Sequence, residues 1–334
     1  MTEILEQSDC CGILLRPGPG DALRFCYAFS NLINIKRPIN PVILISEYVR
    51  QNVLDLICFS AVIGAVSRTE PGEGYTYYIT AQGVHIISFS DALYQLATWH
   101  LPAYIYVIFE SPFVENMVND FVAVLPVIQN CQFVLIDRID SKRYISGRFG
   151  DFFPIRVQKK IDLRRILVTV RLEAMVPERN TPVGLFKEII AYFSDLDIKV
   201  FYSGSEIKSI NCLSGKEAAS IKKYDIRQRS GFPNYLRQME FYAAQFDGVV
   251  GVNSGGFDLA VAAGLPGIRV GAFHHLLPKH GKNFNAFLTS APVVNIGASS
   301  EKDLKNITID QFIQGFELLK SSLESDSEEV NLWL

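Results

Sequence analysis

The 334-residue chain carries almost no surplus charge, with a formal net of −3. A binder of nucleic acid shows a basic footprint, and here Lys and Arg are scattered. The one modest cluster, Lys159-Lys160 with Arg164-Arg165, reads as a solvated linker. Paired cysteines are missing too. Cys10, Cys11, Cys26, Cys58, Cys131 and Cys212 form no CxxC and, in a chain this long, no disulfide frame. Reduced thiols in the cytoplasm are the expectation. No apolar run reaches the roughly 20 residues that span a bilayer. The opening MTEILEQSDC is acidic, without the basic-then-apolar order of a secretory signal. These features predict a soluble cytoplasmic protein with no nucleic-acid partner and no transmembrane segment; peripheral membrane contact stays open.

Familiar chemical motifs are also lacking. There is no Gly-x-Ser-x-Gly elbow, and Gly18-Pro19-Gly20 lacks the third glycine of a dinucleotide fingerprint. His274, His275 and His280 have no carboxylate at metal spacing. No metal site and no resident cofactor is expected.

Apolar residues are plentiful, at 49%, enough in a chain of this length for two buried cores. They fall in short runs separated by amphipathic stretches. In the first half, strands are predicted at Cys11–Arg16, Pro41–Ser46, Ser60–Ser67, Tyr75–Thr80, Val84–Ile87, Ala103–Phe109 and Gln132–Ile136. Helical segments lie between most of them. The charged, glycine-containing stretch Asp137–Asp162 reads as a linker. The alternation then restarts: strands at Arg165–Val170, Ile198–Tyr202, Gly248–Val252 and Gly267–Val270, helices at Val183–Phe193, Tyr235–Gln245, Phe257–Ala263 and Ile309–Leu323. An acidic, frayed tail is expected at Glu324–Glu329. Continuous apolar strands alternating with helices argue for parallel sheets covered on both faces. The predicted fold is α/β, with two Rossmann-like, doubly wound domains, residues 1–150 and 151–334, facing across a cleft. Ligands of such sheets sit at the carboxyl ends of the strands.

The most informative segment follows Gly248–Val252. A strand runs into Asn253-Ser254-Gly255-Gly256, and a small-residue helix follows at once. Glycines allow close approach of a ligand, Ser254 can cap the helix, and free N–H groups at the positive dipole end favour a phosphate or diphosphate. An ordinary tight turn between strand and helix explains the same residues.

This segment resembles the donor-site motif of the heptosyltransferase family, an Asp-Ser/Thr-Gly followed by an apolar-His-Leu-Ala helix and a Gly-x-Pro strand entry. The matching residues are Asn253, Ser254, Gly255, then Phe257-Asp258-Leu259-Ala260 and Gly264-Leu265-Pro266. The stretch Leu14-Leu15-Arg16-Pro17-Gly18-Pro19-Gly20-Asp21-Ala22-Leu23 resembles that family's opening strand and its Gly-Asp turn. The resemblance covers most of the chain. It implies a GT-B fold and inverting transfer of a sugar from a nucleotide-diphosphate donor, without a metal held at an Asp-x-Asp motif. Asp195-Leu196-Asp197 precedes a strand and reads as a turn. There are departures: Asn253 stands in place of the family's Asp, Asp258 in place of its His, and VRLEAMVPERN in place of a Lys-x-Trp loop. Arg171 in that stretch resembles an arginine of the GT-B fucosyltransferases that meets donor phosphates.

Roles for side chains follow from that chemistry. Inverting transfer needs one carboxylate to take the acceptor hydroxyl's proton. Asp21 is the first candidate and Glu110, just after a predicted strand, is the second; each can equally be a helix cap or ion-pair partner. The leaving diphosphate needs compensating charge, which Arg16 and Arg171 can supply bidentately unless they tie loops to carboxylates. Gly20, Asn253, Ser254, Gly255, Gly256 and Asp258 complete the expected donor contacts, with Ser203, Gly204 and Glu206 toward the base or ribose and Lys279 or a neighbouring histidine toward a phosphate. The expected partners are a nucleotide-diphosphate sugar and an unidentified acceptor. A nucleotide-sugar epimerase of the same architecture, or a non-catalytic nucleotide-binding protein, are the alternatives.

Overall fold

The computed structural model describes the backbone of six strands in the first half, residues 9–14, 42–46, 75–80, 83–88, 104–109 and 132–135. Beyond them it describes residues 162–171, 180–204, 235–272, 291–325 and 331–334. The chain divides into two compact units, residues 1–146 with 233–236, and residues 147–232 with 237–334.

The first unit contains a six-stranded sheet of β1 (Asp9–Leu14), β2 (Val42–Ser46), β3 (Tyr75–Thr80), β4 (Gly83–Ser88), β5 (Tyr104–Phe109) and β6 (Gln132–Leu135), in the order β4-β3-β2-β1-β5-β6. β1 pairs in parallel with β2 and β5, and β5 with β6. The β2–β3–β4 edge is antiparallel, which corrects the expectation of a wholly parallel sheet. The reason is chain length. Only Ala81 and Gln82 separate β3 from β4, and a parallel crossover needs about a dozen residues. The strand predicted at Ser60–Ser67 and the helices predicted in this half lie outside the described residues.

The second unit has an all-parallel six-stranded sheet. Its elements are β7 (Arg165–Val170), α1 (Val183–Asp195), β8 (Lys199–Gly204), α2 (Tyr235–Gln245), β9 (Gly248–Val252), α3 (Gly255–Ala262), β10 (Gly267–Ala272), β11 (Val293–Ala298), a 3-10 turn Glu301–Asn306, α4 (Ile309–Glu324) and β12 (Asn331–Trp333). The order is β12-β11-β10-β9-β7-β8. From β7 the chain moves outward to β8, then returns past β7 to β9 and continues the other way. The winding direction therefore reverses between β7 and β9.

Local sequence explains the boundaries. α4 opens on a capping box: Thr308 Oγ1 accepts from the Gln311 amide at 3.3 Å, and Gln311 Oε1 accepts from the Thr308 amide at 3.0 Å. α1 ends where Asp197 takes φ 55 and Ile198 N–H donates back to the Phe193 carbonyl at 2.8 Å. Asp195-Leu196-Asp197 is thus the C-terminal turn of a helix. At the amino ends of the strands, Asp247 Oδ2 accepts the Arg165 amide at 2.8 Å and Oδ1 meets the Arg165 guanidinium at 3.2 Å, which fixes β7 against β9.

The two faces of this sheet differ in chemistry. Alternate residues of the strands point to opposite faces. One set, Ile166, Val168, Val250, Val252, Ile268, Val270, Val294 and Ile296, is aliphatic and packs with Phe186, Ile189 and Phe193 of α1 and Phe312 and Phe316 of α4. Phe193 meets Phe312 and Phe316 edge-on at 5.6 and 5.2 Å. Burying each such side chain is worth about 1.5–3 kcal/mol. The other set carries a polar row: Ser203, Thr169, Gly251, Arg269 and Asn295 stand side by side across β8, β7, β9, β10 and β11. The four polar members are all buried. Polar side chains inside a sheet are costly unless satisfied, and here Ser203, Arg269 and Asn295 bond to Tyr242, Asp258 and the Leu332 carbonyl. This is the face that carries α3.

Candidate functional site

In an open α/β sheet the crevice lies outside the carboxyl ends of the strands at the point where winding reverses. Here that point is β7/β9. The register Thr169↔Gly251 puts Arg171 and Asn253, each two residues further on, at the same level. β9 is wholly buried and ends at Val252. Asn253 continues its alignment, its N–H donating to the Val270 carbonyl at 3.1 Å.

The chain then turns into α3. Ser254 is extended, φ −153 and ψ 156, and its Oγ accepts from the Phe257 amide at 3.4 Å. It is the helix cap that its place in the sequence predicts. Asp258 is the first residue to make the regular helical bond, to the Ser254 carbonyl at 3.0 Å. The first N–H groups of a helix have no acceptor within it. With Phe257 served by the cap, the Gly255 and Gly256 amides are left without an acceptor among the described residues. Both glycines are half-buried, and a Cβ on Gly256 would meet nothing nearer than 3.9 Å. Two unspent N–H donors on a side-chain-free surface, at the positive end of a helix, are an arrangement that can receive an anion.

Beneath this turn the packing is tight. A Cβ on Gly251 would fall 1.9 Å from Thr169 Oγ1 and 3.2 Å from Phe257 Cδ2; on Gly267 it would fall 2.8 Å from Val249 and 3.1 Å from Phe257 Cζ. The two glycines make the socket that receives the Phe257 ring. Arg269, 2% exposed, also meets that ring, with Cζ over it at 4.8 Å from its centroid. Its Nη2 donates to Asp258 Oδ1 at 2.9 Å. Burial pulls the guanidinium below its ordinary pKa, and the Asp258 carboxylate opposes that pull. Arg269 Nε and Thr169 Oγ1 are buried without a hydrogen-bond partner among the described residues.

The remaining expected donor contacts divide into four groups. Asp258 is buried and engaged with Arg269 under the turn, at the site but behind it. Arg171 leaves β7 at the crevice, where its N–H donates to Thr181 Oγ1 and its carbonyl accepts from the Thr181 amide, both at 2.9 Å. Ser203 is buried on β8, its Oγ 2.7 Å from the Tyr242 hydroxyl, which Gln238 Nε2 also meets, and Gly204 ends that strand. Glu206 and Lys279 lie outside the described residues, as do Arg16, Gly20, Asp21 and Glu110. What is described is that β1 and β5, the strands leading into the last four, are parallel neighbours paired as far as Ile13↔Phe109. Among the described residues no three His, Cys, Asp or Glu side chains are grouped to hold a metal ion, and no helix is long and apolar enough to cross a membrane.

Sequence reasoning passed over Thr169, Gly251 and Arg269. A signal was present: an arginine inside the apolar strand GIRVGA, with a threonine near the end of RILVTV, marks a buried polar pair of positions that packing alone does not ask for.

No family model and no curated protein matches the chain. Among solved structures it is similar to the E. coli heptosyltransferase WaaC with ADP, at 14% identity over 93% of this chain and 99% of that one, with a TM-score of 0.49. It is also similar to a glycosyl transferase family 9 protein from Veillonella parvula, at 13% identity over 95% and 98% of the two chains, TM-score 0.47. A third is the S. aureus MnaA–UDP co-structure, at 11% identity over 96% and 92%, TM-score 0.42.

Proposed function

We propose that this protein is a glycosyltransferase of the GT-B arrangement, in which the second unit binds a nucleotide-diphosphate sugar at the β7/β9 crevice. The observation that carries the reading is the pair of unspent amides on Gly255 and Gly256 at the winding reversal, framed by Ser254 and Arg171. A diphosphate needs donors that approach closely and carry positive potential, and a glycine-led helix start supplies both. Asn253 adds an amide where a carboxylate would repel the phosphates. Arg171 supplies a full positive charge for the diphosphate as it leaves. Gly204 at the end of β8, with Glu206, serves the nucleoside, while Ser203 is engaged behind it with the Tyr242 hydroxyl.

The resemblance in the Gly20-Asp21 and Asn253–Gly256 segments supports a transfer with inversion and without a metal. In that reaction the acceptor oxygen attacks the anomeric carbon while the bond from that carbon to the diphosphate oxygen breaks. The acceptor's proton passes to Asp21 or Glu110, and the nucleoside diphosphate departs held by the amides and Arg171. The site of action is the cytoplasm.

The test is a panel of nucleotide sugars incubated with the protein and candidate acceptor hydroxyl compounds, with nucleoside diphosphate release and product mass as readouts. Release that depends on the acceptor supports transfer. Conversion of the donor without transfer would make it an epimerase instead. If no nucleoside diphosphate raises the melting temperature and no nucleotide sugar is consumed, the proposal fails.

A further inference from the structure

The two glycines that suit the turn to a diphosphate also weaken it. Glycine costs a helix about 1 kcal/mol relative to alanine, and α3 begins with two and has eight residues in all. Its cap bond, at 3.4 Å, is long. Something else must hold the first turn in place.

We propose that Arg269 and Asp258 are positioning residues that aim the Gly255 and Gly256 amides at the diphosphate from beneath the turn. The inference rests on the proposed function above. Arg269 meets the first two non-glycine residues of α3 at once: its Cζ lies over the Phe257 ring at 4.8 Å and its Nη2 holds the Asp258 carboxylate at 2.9 Å. The same ring sits in the Gly251–Gly267 socket. The helix start is therefore fixed in rotation as well as height, because a hydrogen-bonded charge pair is directional where aliphatic packing is not. A buried ion pair is poor at raising stability, since desolvation offsets much of the attraction; in some proteins such pairs select one arrangement over near alternatives, and that is the role proposed for this one. Asp258 thus serves the donor site without touching the donor, through a guanidinium on the next strand.

The experiment compares wild type, Asp258→Asn, Arg269→Lys and the apolar double variant Asp258→Leu/Arg269→Met. Each is measured for melting temperature and for the affinity of ADP and UDP by calorimetry. The double variant removes both charges together and is expected to melt within a few degrees of wild type while binding nucleoside diphosphate at least tenfold more weakly. Arg269→Lys keeps a charge for Asp258 but loses the guanidinium over Phe257, and is expected to fold and to bind several-fold more weakly. A double variant that folds and binds as wild type overturns the inference. If that variant does not fold, Arg269→Lys decides: unchanged affinity overturns the inference and weakened affinity with an unchanged melting temperature supports it. Absence of nucleoside diphosphate binding by the wild-type protein would instead overturn the proposed function, and this inference with it.

Discussion

Replacing Gly256 by alanine separates what the turn does for the fold from what it does for a ligand. Gly256 is the second residue of α3, and Gly264 is the one glycine with positive φ among the described residues, so ordinary helical backbone is already in place at 256. A Cβ there would lie 3.9 Å from Ser254 Oγ and from Thr169 Cβ, which is comfortable contact. The fold therefore gains what alanine gains over glycine in a helix, about 0.5–1 kcal/mol. For a unit of this size that raises the melting temperature by about 2–4 °C per kcal/mol. The new methyl leans toward the helix amino end, as every Cβ does. There it stands where a phosphate oxygen must come within about 3 Å of the amides. A tenfold loss of nucleoside diphosphate affinity, about 1.4 kcal/mol, is the minimum expected. Chemical denaturation measures the first quantity and calorimetry with ADP and UDP the second. A Gly256→Ala protein that binds nucleoside diphosphate as wild type does would refute the reasoning, and so would one that loses binding only because it has lost stability.

Three further outcomes follow from the packing. Gly251→Ala sets a methyl 1.9 Å from Thr169 Oγ1; rotating that side chain still leaves the Thr169 carbonyl oxygen at 3.1 Å and the Phe257 ring at 3.2 Å. We expect a loss of about 3 kcal/mol or more, read as a fall in denaturant midpoint, with tolerance of the change counting against the socket. Thr169→Val removes a buried hydroxyl that lacks a partner among the described residues and is expected to stabilise by about 1 kcal/mol; destabilisation would show that the hydroxyl is satisfied. Thr308→Ala breaks the capping box of α4 and is expected to cost about 1 kcal/mol with nucleoside diphosphate affinity unchanged, since the cap belongs to the opposite face.

Much of the architecture was legible because its signals are local. Arg165–Val170, Tyr235–Gln245 and Gly248–Val252 are bounded where the apolar runs and their periods end. The turn of β9 into α3 was legible because glycine pairs and a capping serine are specific residue choices. Antiparallel β3 and β4 were misjudged by weighing the apolar runs over the two-residue connection between them. β11 and β12 were missed for a different reason. Asn295 interrupts the apolar run of β11, and β12 is three residues long after an acidic stretch, so neither announces itself without its neighbour. Pairing supplies what the sequence pattern does not: Asn295 Nδ2 donates to the Leu332 carbonyl at 3.3 Å, and the Leu334 amide donates to the Asn295 carbonyl at 3.1 Å. Asp258 shows the same limit at the site. Its position beside the glycine turn suggested a ligand contact, and only the strand register that brings Arg269 under α3 reveals the partner it meets.

The central claim is that a nucleoside diphosphate sits on the amides that open α3. Hydrogen exchange of the full chain, with and without saturating ADP or UDP, tests it most directly. The account predicts slowed exchange in the peptide spanning residues 253–258, at least tenfold at Gly255 and Gly256, and little change in α4 on the opposite face. Nucleotide binding that leaves exchange in that peptide untouched would contradict it.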